Sequence, residues 1–377
     1  MLKGLRFAHR WLGLLSGLVV FILGITGCIL AFETEIRGFT EPFRNVQAEA
    51  KPYLPPSVLK ELAGKQLASG LALGIEYPGE GKAAVGIYYD DSRYELVFLN
   101  PYSGEVLKHK NMNRDFFRII LDGHYYLWLP HAIGQPLAAS ATLIFLLLLI
   151  SGMVLWWPRN KGAVKQRFRI KWNTGWRRKN YDLHAVLGFY MSWVAIFIVI
   201  TGLVFGFEWA ARTVYWISSG GKTMVEHQHP LSDTTKAVPG YNMADRLWEQ
   251  YRRQTGKKES LAVYFAHLPS DPHEIIINHS PGTYYNSDFF HFDQYTGQPL
   301  KAAGSWDGRF AEANTADKIA RMNYDIHTGA IWGLGGKLLA FFASLLAASM
   351  PVTGFLLWRG RQRKERRTPV QGVPVPA

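Results

Sequence analysis

Four apolar stretches of helix length constrain the fold of this chain more than any other feature. They cover residues 11–32, 136–157, 184–207 and 334–358. Each stretch reaches about 20 residues, enough for a helix to span a hydrocarbon core of roughly 30 Å. A hydrophobic share of 48% over 377 residues agrees with partial residence in lipid. The sequence therefore predicts a membrane protein, mainly α, with four transmembrane helices.

The net charge of +13 is concentrated beside these stretches. Three basic patches, at residues 3–10, 158–181 and 359–367, hold 18 of the 42 lysines and arginines but one of the 29 acids, so the rest of the chain nets 24 − 28 = −4. By the positive-inside rule, both termini and the loop 158–183 are predicted to be cytoplasmic, and segments 33–130 and 208–326 to lie outside. We therefore expect a multi-pass protein of a bacterial inner membrane. Its basic patches suit membrane lipid as a partner rather than nucleic acid.

The two halves of the chain resemble each other. His9-Arg-Trp-Leu-Gly13 matches His184-Ala-Val-Leu-Gly188, and a Thr-Gly pair begins 17 residues after each histidine. Residues 97–107 match 289–300 as a strand that runs into a glycine turn, and helical patterns accompany both. This self-similarity predicts a twofold repeat of helix, outside α+β domain and helix, used twice in the same orientation.

The repeat sets the predicted boundaries. In the first half they are 1–32 for the first transmembrane helix, 33–112 for the first outside domain, and 113–157 for an interfacial helix and the second transmembrane helix. A basic cytoplasmic loop, 158–183, follows. In the second half they are 184–208 for the third transmembrane helix, 209–314 for the second outside domain, 315–358 for an interfacial helix and the fourth transmembrane helix, and 359–377 for a cytoplasmic tail.

Histidines stand at the entry to each predicted span. His9 and His184 are equivalent and cytoplasmic, while His124 and His327 are equivalent and periplasmic. Such pairs can face each other across a planar macrocycle in a four-helix arrangement, and imidazole is a good axial ligand of haem iron. The single cysteine, Cys28, and the lack of a C-x-x-C-H motif exclude cysteine-ligated iron–sulfur clusters and covalent c-type haem. We therefore expect two non-covalent haem b groups, each bound by two histidines.

Other residues bear on the ligand set. His131 lies seven residues after His124 on a similar helical face, and it stays an alternative outer ligand. Arginines are candidate partners of the haem propionates: Arg118 and Arg321 outside, and Arg6, Arg10, Arg177 and Arg178 inside. Contact with lipid is an equal alternative for each of them. His227-Gln-His229 is a weaker signal, because two ligands alone do not make a closed metal site.

A small dipeptide recurs in all four spans. Thr26-Gly27 stands before Cys28, where the segment resembles a lipoprotein cleavage site. The same pattern returns as Ser151-Gly152, Thr201-Gly202 and Thr353-Gly354. This recurrence favours a repeated helix pattern, in which small residues let neighbouring helices approach closely.

The order of these motifs resembles the PepSY-associated transmembrane family over residues 5–362. The matching segments are His9-Arg-Trp-Leu-Gly-Leu14, Tyr102-Ser-Gly104, His184-Ala-Val-Leu-Gly188, Tyr295-Thr-Gly297, Asp325-Ile-His327 and Thr353-Gly-Phe-Leu-Leu-Trp-Arg359. The resemblance implies PepSY-like outside domains and maps the span-entry histidines of the family onto His9, His124, His184 and His327. Leu127-Trp-Leu-Pro-His131 departs from a leucine-rich stretch of many members, so His124 and His131 both remain candidates.

One branch of that family comprises ferric-siderophore reductases that bind two haems. The resemblance therefore implies a membrane oxidoreductase that passes electrons outward to a periplasmic ferric siderophore and releases ferrous iron. A quinol or a cytoplasmic reductase is the expected electron donor. The main alternative is a non-enzymatic protein whose outside domains bind or inhibit a periplasmic peptidase. Solute transport is disfavoured because the spans lack acidic residues, and the sequence carries no hydrolase or ATPase motif.

Overall fold

A computed structural model describes residues 2–158, 160, 164, 167–236 and 242–365. The predicted tail beyond residue 365 and six positions of the predicted basic loop lie outside the described residues. The chain divides into two compact units. We call Met1–Ala31, Ile120–Phe207 and His327–Ala377 the membrane unit, and Phe32–Ile119 with Glu208–Ile326 the sheet unit.

Four helices among the described residues are long and apolar enough to cross a membrane. They are Leu2–Leu30, His131–Trp156, Trp176–Gly206 and Gly333–Glu365, called the first to fourth membrane helices below. The prediction of a membrane protein with four apolar helices is thus confirmed. The first and fourth helices extend beyond the apolar stretches because lysine and arginine are good helix formers. Apolarity therefore marks the predicted span but not the end of the helix.

The membrane helices pack as a ring of neighbours. The first helix contacts the second and the fourth, and the third also contacts the second and the fourth. Gly24 shows how closely the first and fourth helices approach, because a Cβ added there would lie 2.8 Å from Ser344 O and from the Ala348 Cβ. A small residue is therefore required at this crossing.

Two shorter helices precede the second and fourth membrane helices. They are Phe116–Tyr126 and Thr315–Thr328. The first of them ends sooner than the predicted interfacial helix, because Leu127 and Trp128 both take a left-handed φ of 55° and Pro130 follows. The second membrane helix then begins at His131. His124 and His131 consequently lie on separate helices, so the expectation that they share a helical face is wrong.

The described part of the sheet unit contains one antiparallel sheet of eight strands in the order β4-β3-β2-β1-β5-β6-β7-β8. The strands are β1 Gly74–Tyr77, β2 Ala84–Tyr89, β3 Tyr94–Leu99, β4 Val106–Asn111, β5 Ser260–Tyr264, β6 Pro272–Asn278, β7 Ser287–Asp293 and β8 Pro299–Leu300. Helices Glu33–Thr40, Pro56–Gly64, Glu208–Ser218 and Met243–Arg252 also belong to this unit.

The two outside segments, which the sequence presented as separate domains, share this one sheet. Gly74 of β1 pairs with Tyr264 of β5, and the register continues to Tyr77 opposite Leu261. Without this pairing each group of four strands would expose an edge of unpaired N–H and C=O groups. One core then forms under helices Pro56–Gly64 and Met243–Arg252, and it includes Leu59, Ile75, Leu247, Val263 and Ile275.

Candidate functional site

The four span-entry histidines all lie in the membrane unit. His9 is in the first membrane helix, and His184 is in a π-helical turn, Leu183–Leu187, inside the third. His124 and His327 lie near the ends of helices Phe116–Tyr126 and Thr315–Thr328. Single π-turns occur frequently at functional sites, since they turn one side chain away from the regular helical ladder.

The rings of His124 and His327 lie close together. Their ring centres are 6.1 Å apart and their planes are inclined by 63°. Two imidazoles on opposite sides of one iron place their ring centres about 6 Å apart, because each metal–nitrogen bond is about 2 Å long and each ring adds its radius. The observed separation therefore suits a shared metal between the two rings.

His9 and His184 line a common cavity of about 840 Å³. That volume lies within the range of roughly 300–1,000 Å³ typical of small-molecule and cofactor sites. Apolar side chains such as Val20, Phe145 and Leu149 form much of its wall. The cavity therefore offers a large, mostly apolar space with two imidazoles at its surface.

Each of the four histidines is held by the Ser/Thr-Gly dipeptide of a neighbouring membrane helix. The hydroxyl oxygen lies 2.8 to 3.0 Å from the Nδ1 atom in every case. The pairs are His9 with Ser151, His124 with Thr26, His184 with Thr353 and His327 with Thr201. The sequence showed the recurrence of this dipeptide but gave no sign that it contacts the histidines.

These hydroxyl groups fix which ring nitrogen carries the proton. Each hydroxyl donates its own hydrogen to a backbone carbonyl three or four residues earlier in its helix, as Thr26 does to Ile22 and Thr353 to Ser349. Ser151 and Thr201 follow the same pattern. The hydroxyl oxygen is then an acceptor, so the imidazole Nδ1–H must be the donor. The lone pair is left on Nε2, which is the nitrogen available to a metal.

The glycine of each dipeptide makes room for the imidazole ring. A Cβ added at Gly202 would lie 3.2 Å from His327 Cε1, and one added at Gly354 would lie 3.4 Å from His184 Cε1. Gly152 and Gly27 bear the same relation to His9 and His124, at 3.4 and 3.5 Å. The dipeptide therefore supplies an acceptor and a flat surface together, which limits how far the ring can turn.

Arginines surround the cavity of His9 and His184. Arg6, Arg10 and Arg178, which the sequence suggested, line it together with Arg167 and Arg361, which it did not suggest. Arg178 pairs with Asp182 at 2.9 Å. Arg10 Nε is buried without a hydrogen-bond partner among the described residues. The cavity thus combines apolar walls with cationic groups, a donor set that suits a planar ligand with carboxylates.

Arg118 and Arg321 are the arginines that the sequence suggested as propionate partners near His124 and His327. Arg321 is 1% exposed and donates to the carbonyl oxygens of Ser287, Ser305 and Asp307, so its guanidinium stabilises the sheet unit. This role replaces the expectation of a propionate contact for Arg321. Arg118 is exposed and its guanidinium lies 5.8 Å from the Tyr94 ring centre.

His131 is not part of either pair. Its exposed ring lies 5.0 Å from that of Tyr126, at the start of the second membrane helix. The ring of His124 lies close to that of His327 instead. The geometry therefore favours His124 over His131 as the ligand that accompanies His327.

Two histidines of the sheet unit have structural partners. Burial lowers the pKa of His273 to about 4, and its Nδ1 accepts the Ala266 N–H at 3.1 Å. Burial also acts to lower the pKa of His279, but hydrogen bonds to Asp288 and Glu259 raise it above its ordinary value. Both rings thus have local roles within the sheet unit.

A smaller cavity of about 230 Å³ lies in the sheet unit beside Tyr53, Tyr77, Trp248 and Arg252. Typical ligand pockets measure roughly 300–1,000 Å³. This cavity is therefore too small for a whole siderophore, and we assign no substrate residue to it.

The sequence pattern of the family described as PepSY-associated TM region matches residues 6–361, which is nearly the whole chain. No curated protein matches the chain.

Proposed function

Because the chain belongs to the PepSY-associated transmembrane family, we propose that it is a membrane oxidoreductase with two haem b groups that reduces a ferric siderophore. His9 and His184 bind one haem, and His124 and His327 bind the other. Electrons enter from a quinol or a cytoplasmic reductase and leave to the siderophore in the periplasm. One electron converts one chelated ferric ion to the ferrous ion, which the siderophore holds more weakly.

The observation that carries this proposal is the orientation of the four imidazoles. In each, Nδ1 donates to a Ser or Thr oxygen on another helix, so Nε2 presents its lone pair. Metal-ligating histidines almost always donate their second ring nitrogen in this way, which fixes the ring and raises its basicity. The internal repeat accounts for the likeness of His9 to His184 and of His124 to His327. It does not account for the same partner type and tautomer in both pairs, and histidines that merely pack would have no reason to share them.

The residues present fit haem as a ligand. His124 and His327, whose ring centres lie 6.1 Å apart, would hold one haem, and His9 and His184, which border a cavity of about 840 Å³, would hold the other. The bound iron would supply a one-electron change between its ferric and ferrous states. Arg6, Arg10 and Arg361 at the cavity would pair with propionates, and the apolar helix faces would exclude water.

The direction of electron flow rests on the distribution of charge. The basic patch at residues 3–10 includes His9, so the positive-inside rule places the His9–His184 pair on the cytoplasmic side of the inner membrane. The His124–His327 pair then belongs to the periplasmic side, as does the sheet unit. We likewise propose that the two halves of the chain arose by duplication of helix, outside segment and helix.

The first test is the haem content of the full chain purified in detergent, measured as the pyridine haemochrome. We expect two haem b per chain. His9→Ala and His184→Ala should each lose one and the same haem, and His124→Ala and His327→Ala should each lose the other. His131→Ala is the matched control and should retain both haems.

Two outcomes would contradict the proposal in different ways. If the protein contains no haem when it is made with adequate haem supply, the redox function is excluded. Peptidase binding by the sheet unit is then the better alternative. A protein with two haems that ferric siderophores fail to reoxidise after reduction would keep the haem scaffold and exclude this electron acceptor.

A further inference from the structure

Three histidines of the sheet unit meet at a place remote in sequence from the haem ligands. His227 and His229 lie on an extended segment after helix Glu208–Ser218, and His291 lies in β7. The ring centres are separated by 4.5 Å for His227–His229, 5.7 Å for His229–His291 and 6.4 Å for His227–His291. The sequence signalled the first two as a weak pair, and the fold adds the third.

The backbone positions this group. Gln228 forms a two-way bridge with Ala303, with N···O distances of 3.3 and 3.1 Å, and its neighbours His227 and His229 therefore project to the same side. Gly304 has a φ of +96°, and a Cβ there would lie 2.9 Å from the Cα of His227. A glycine is thus needed for the segment to lie this close to the loop that follows β8.

His291 is the buried member of the group. It is 1% exposed, and among the described residues neither of its ring nitrogens has a hydrogen-bond partner. Nδ1 lies 3.7 Å from Asp307 Oδ1 and Nε2 lies 3.5 Å from Glu274 Oε1, both beyond a good hydrogen bond. A buried imidazole with both nitrogens unsatisfied calls for an explanation such as an ion.

The spacing of the rings suits a shared metal. Two imidazoles bound to one metal at a tetrahedral angle have ring centres about 5 Å apart, given a metal–nitrogen bond of about 2.0–2.1 Å. The three observed separations bracket that value. As they stand, no group of three or more histidine, cysteine or acidic side chains among the described residues is arranged to hold a metal ion. His227 and His229 are exposed, so their side chains have room to rotate toward His291 when a metal binds.

We propose that His227, His229 and His291, with Asp307 as the fourth ligand, bind a divalent first-row transition-metal ion. In the metal-bound form Glu274 Oε1, which lies 3.5 Å from His291 Nε2, would move closer to accept its N–H and so leave Nδ1 to the metal. His227 Nδ1 already donates to Ala303 O at 3.1 Å, which leaves its Nε2 as the ligand. Three imidazoles and a carboxylate suit Zn²⁺ and Fe²⁺ and disfavour Mg²⁺ and Ca²⁺.

Equilibrium dialysis of the detergent-purified full chain against Zn²⁺, with metal counted by elemental analysis, tests the site. We expect one Zn²⁺ per chain that excess Mg²⁺ does not displace. His227→Ala and His229→Ala should each weaken binding by at least about tenfold, because loss of even an outer-shell partner of a metal costs about 10–100-fold. Both residues are exposed, so these variants should keep the fold.

His267→Ala is the matched control, since His267 is an exposed histidine of the same unit outside the group. It should bind Zn²⁺ as the wild type does. Asp307→Asn should weaken binding more than Glu274→Gln. The proposal is overturned if the wild type binds no more Zn²⁺ than the His227→Ala/His229→Ala double variant, or if His267→Ala costs as much as His227→Ala. His9→Ala/His184→Ala should still bind Zn²⁺, so this site and the haem function are tested separately.

Discussion

Removing the hydroxyl group that holds one imidazole is the sharpest test of how the histidines are oriented. Among the described residues, Ser151 Oγ is the hydrogen-bond partner of His9 Nδ1, at 2.8 Å. Ser151→Ala deletes this acceptor. Without haem the freed N–H of His9 can reach water in the cavity, whereas in the haem-bound form it would be buried and unpaired, which costs that form about 1–3 kcal/mol. His327 differs, because Ile198 O lies 2.9 Å from its Nδ1 and offers a second acceptor beside Thr201. Thr201→Val should therefore cost less than about 1 kcal/mol, since the carbonyl can take the same proton.

These energies convert into haem affinity. At about 1.4 kcal/mol for each factor of ten, Ser151→Ala should weaken haem binding by His9 and His184 by about 5- to 150-fold. That range covers the 10–100-fold losses typical of outer-shell partners of a metal ligand. The imidazole also becomes a weaker donor to ferric iron, so the midpoint potential should rise, by about 59 mV for each tenfold selective loss of the ferric form. Thr201→Val should weaken haem binding by less than about fivefold and shift the midpoint potential by less than about 59 mV.

The assay is haem titration and spectroelectrochemistry on variants that keep a single haem. Ser151→Ala is measured in the His124→Ala background and Thr201→Val in the His9→Ala background. Ser349→Ala is the matched control, because its hydroxyl donates to Leu346 O at 2.7 Å in the fourth membrane helix. If Ser151→Ala binds haem as tightly as Ser349→Ala, the assigned tautomer of His9 is wrong. If Thr201→Val loses as much haem affinity as Ser151→Ala, the Ile198 carbonyl does not replace the lost hydroxyl as acceptor.

Three further predictions concern stability. Gly24→Leu should lower the unfolding temperature of the membrane unit, because even a Cβ would lie 2.8 Å from that of Ala348; an unchanged temperature would contradict the close helix contact. Arg37→Ala should destabilise the sheet unit by about 3–5 kcal/mol in thermal unfolding, since its side chain is 8% exposed and ion-paired, whereas Arg212→Ala, at 48% exposure, should change little. Burial raises the pKa of Asp115, but the hydrogen bond from Arg37 outweighs it and holds that pKa well below its usual range. The Asp115 carboxylate therefore stabilises the fold above about pH 4, and this stabilisation is lost as the pH falls further. In a pH series of unfolding temperatures, Asp115→Asn should remove this part of the pH dependence.

Signals that act over short distances in sequence were sufficient to predict the membrane helices. Length and hydropathy located all four, because a bilayer imposes about 20 apolar residues wherever a helix crosses it. Spacing within the repeat likewise grouped His9 with His184 and His124 with His327. The structure puts the latter two rings 6.1 Å apart and the former two at one cavity, while haem ligation stays a prediction.

Contacts between distant segments could not be predicted in this way. Strands Gly74–Tyr77 and Ser260–Tyr264 have only four and five residues, too few for a clear periodic pattern, and their pairing joins the two outside segments. The grouping of His291 with His227 depends on the same sheet. The expectation that His131 shares a helical face with His124 was wrong because it assumed one continuous helix, whereas the left-handed backbone of Leu127 and Trp128 ends the first helix.

The hydroxyl contacts and the histidine pairs connect different helices, and together they explain why four dipeptides recur. His9 with Ser151 and Thr26 with His124 join the first membrane helix to the second membrane helix and the short helix before it. In the second half, His184 with Thr353 and Thr201 with His327 join the third membrane helix to the fourth membrane helix and the short helix before it. Each proposed axial pair, in contrast, takes one imidazole from each half of the chain. A group held between the paired rings would therefore link the two halves of the chain at both pairs, His9 with His184 and His124 with His327. The rings themselves are oriented by contacts within each half before that group binds. Such preorganisation spares the ligand the cost of ordering its own site.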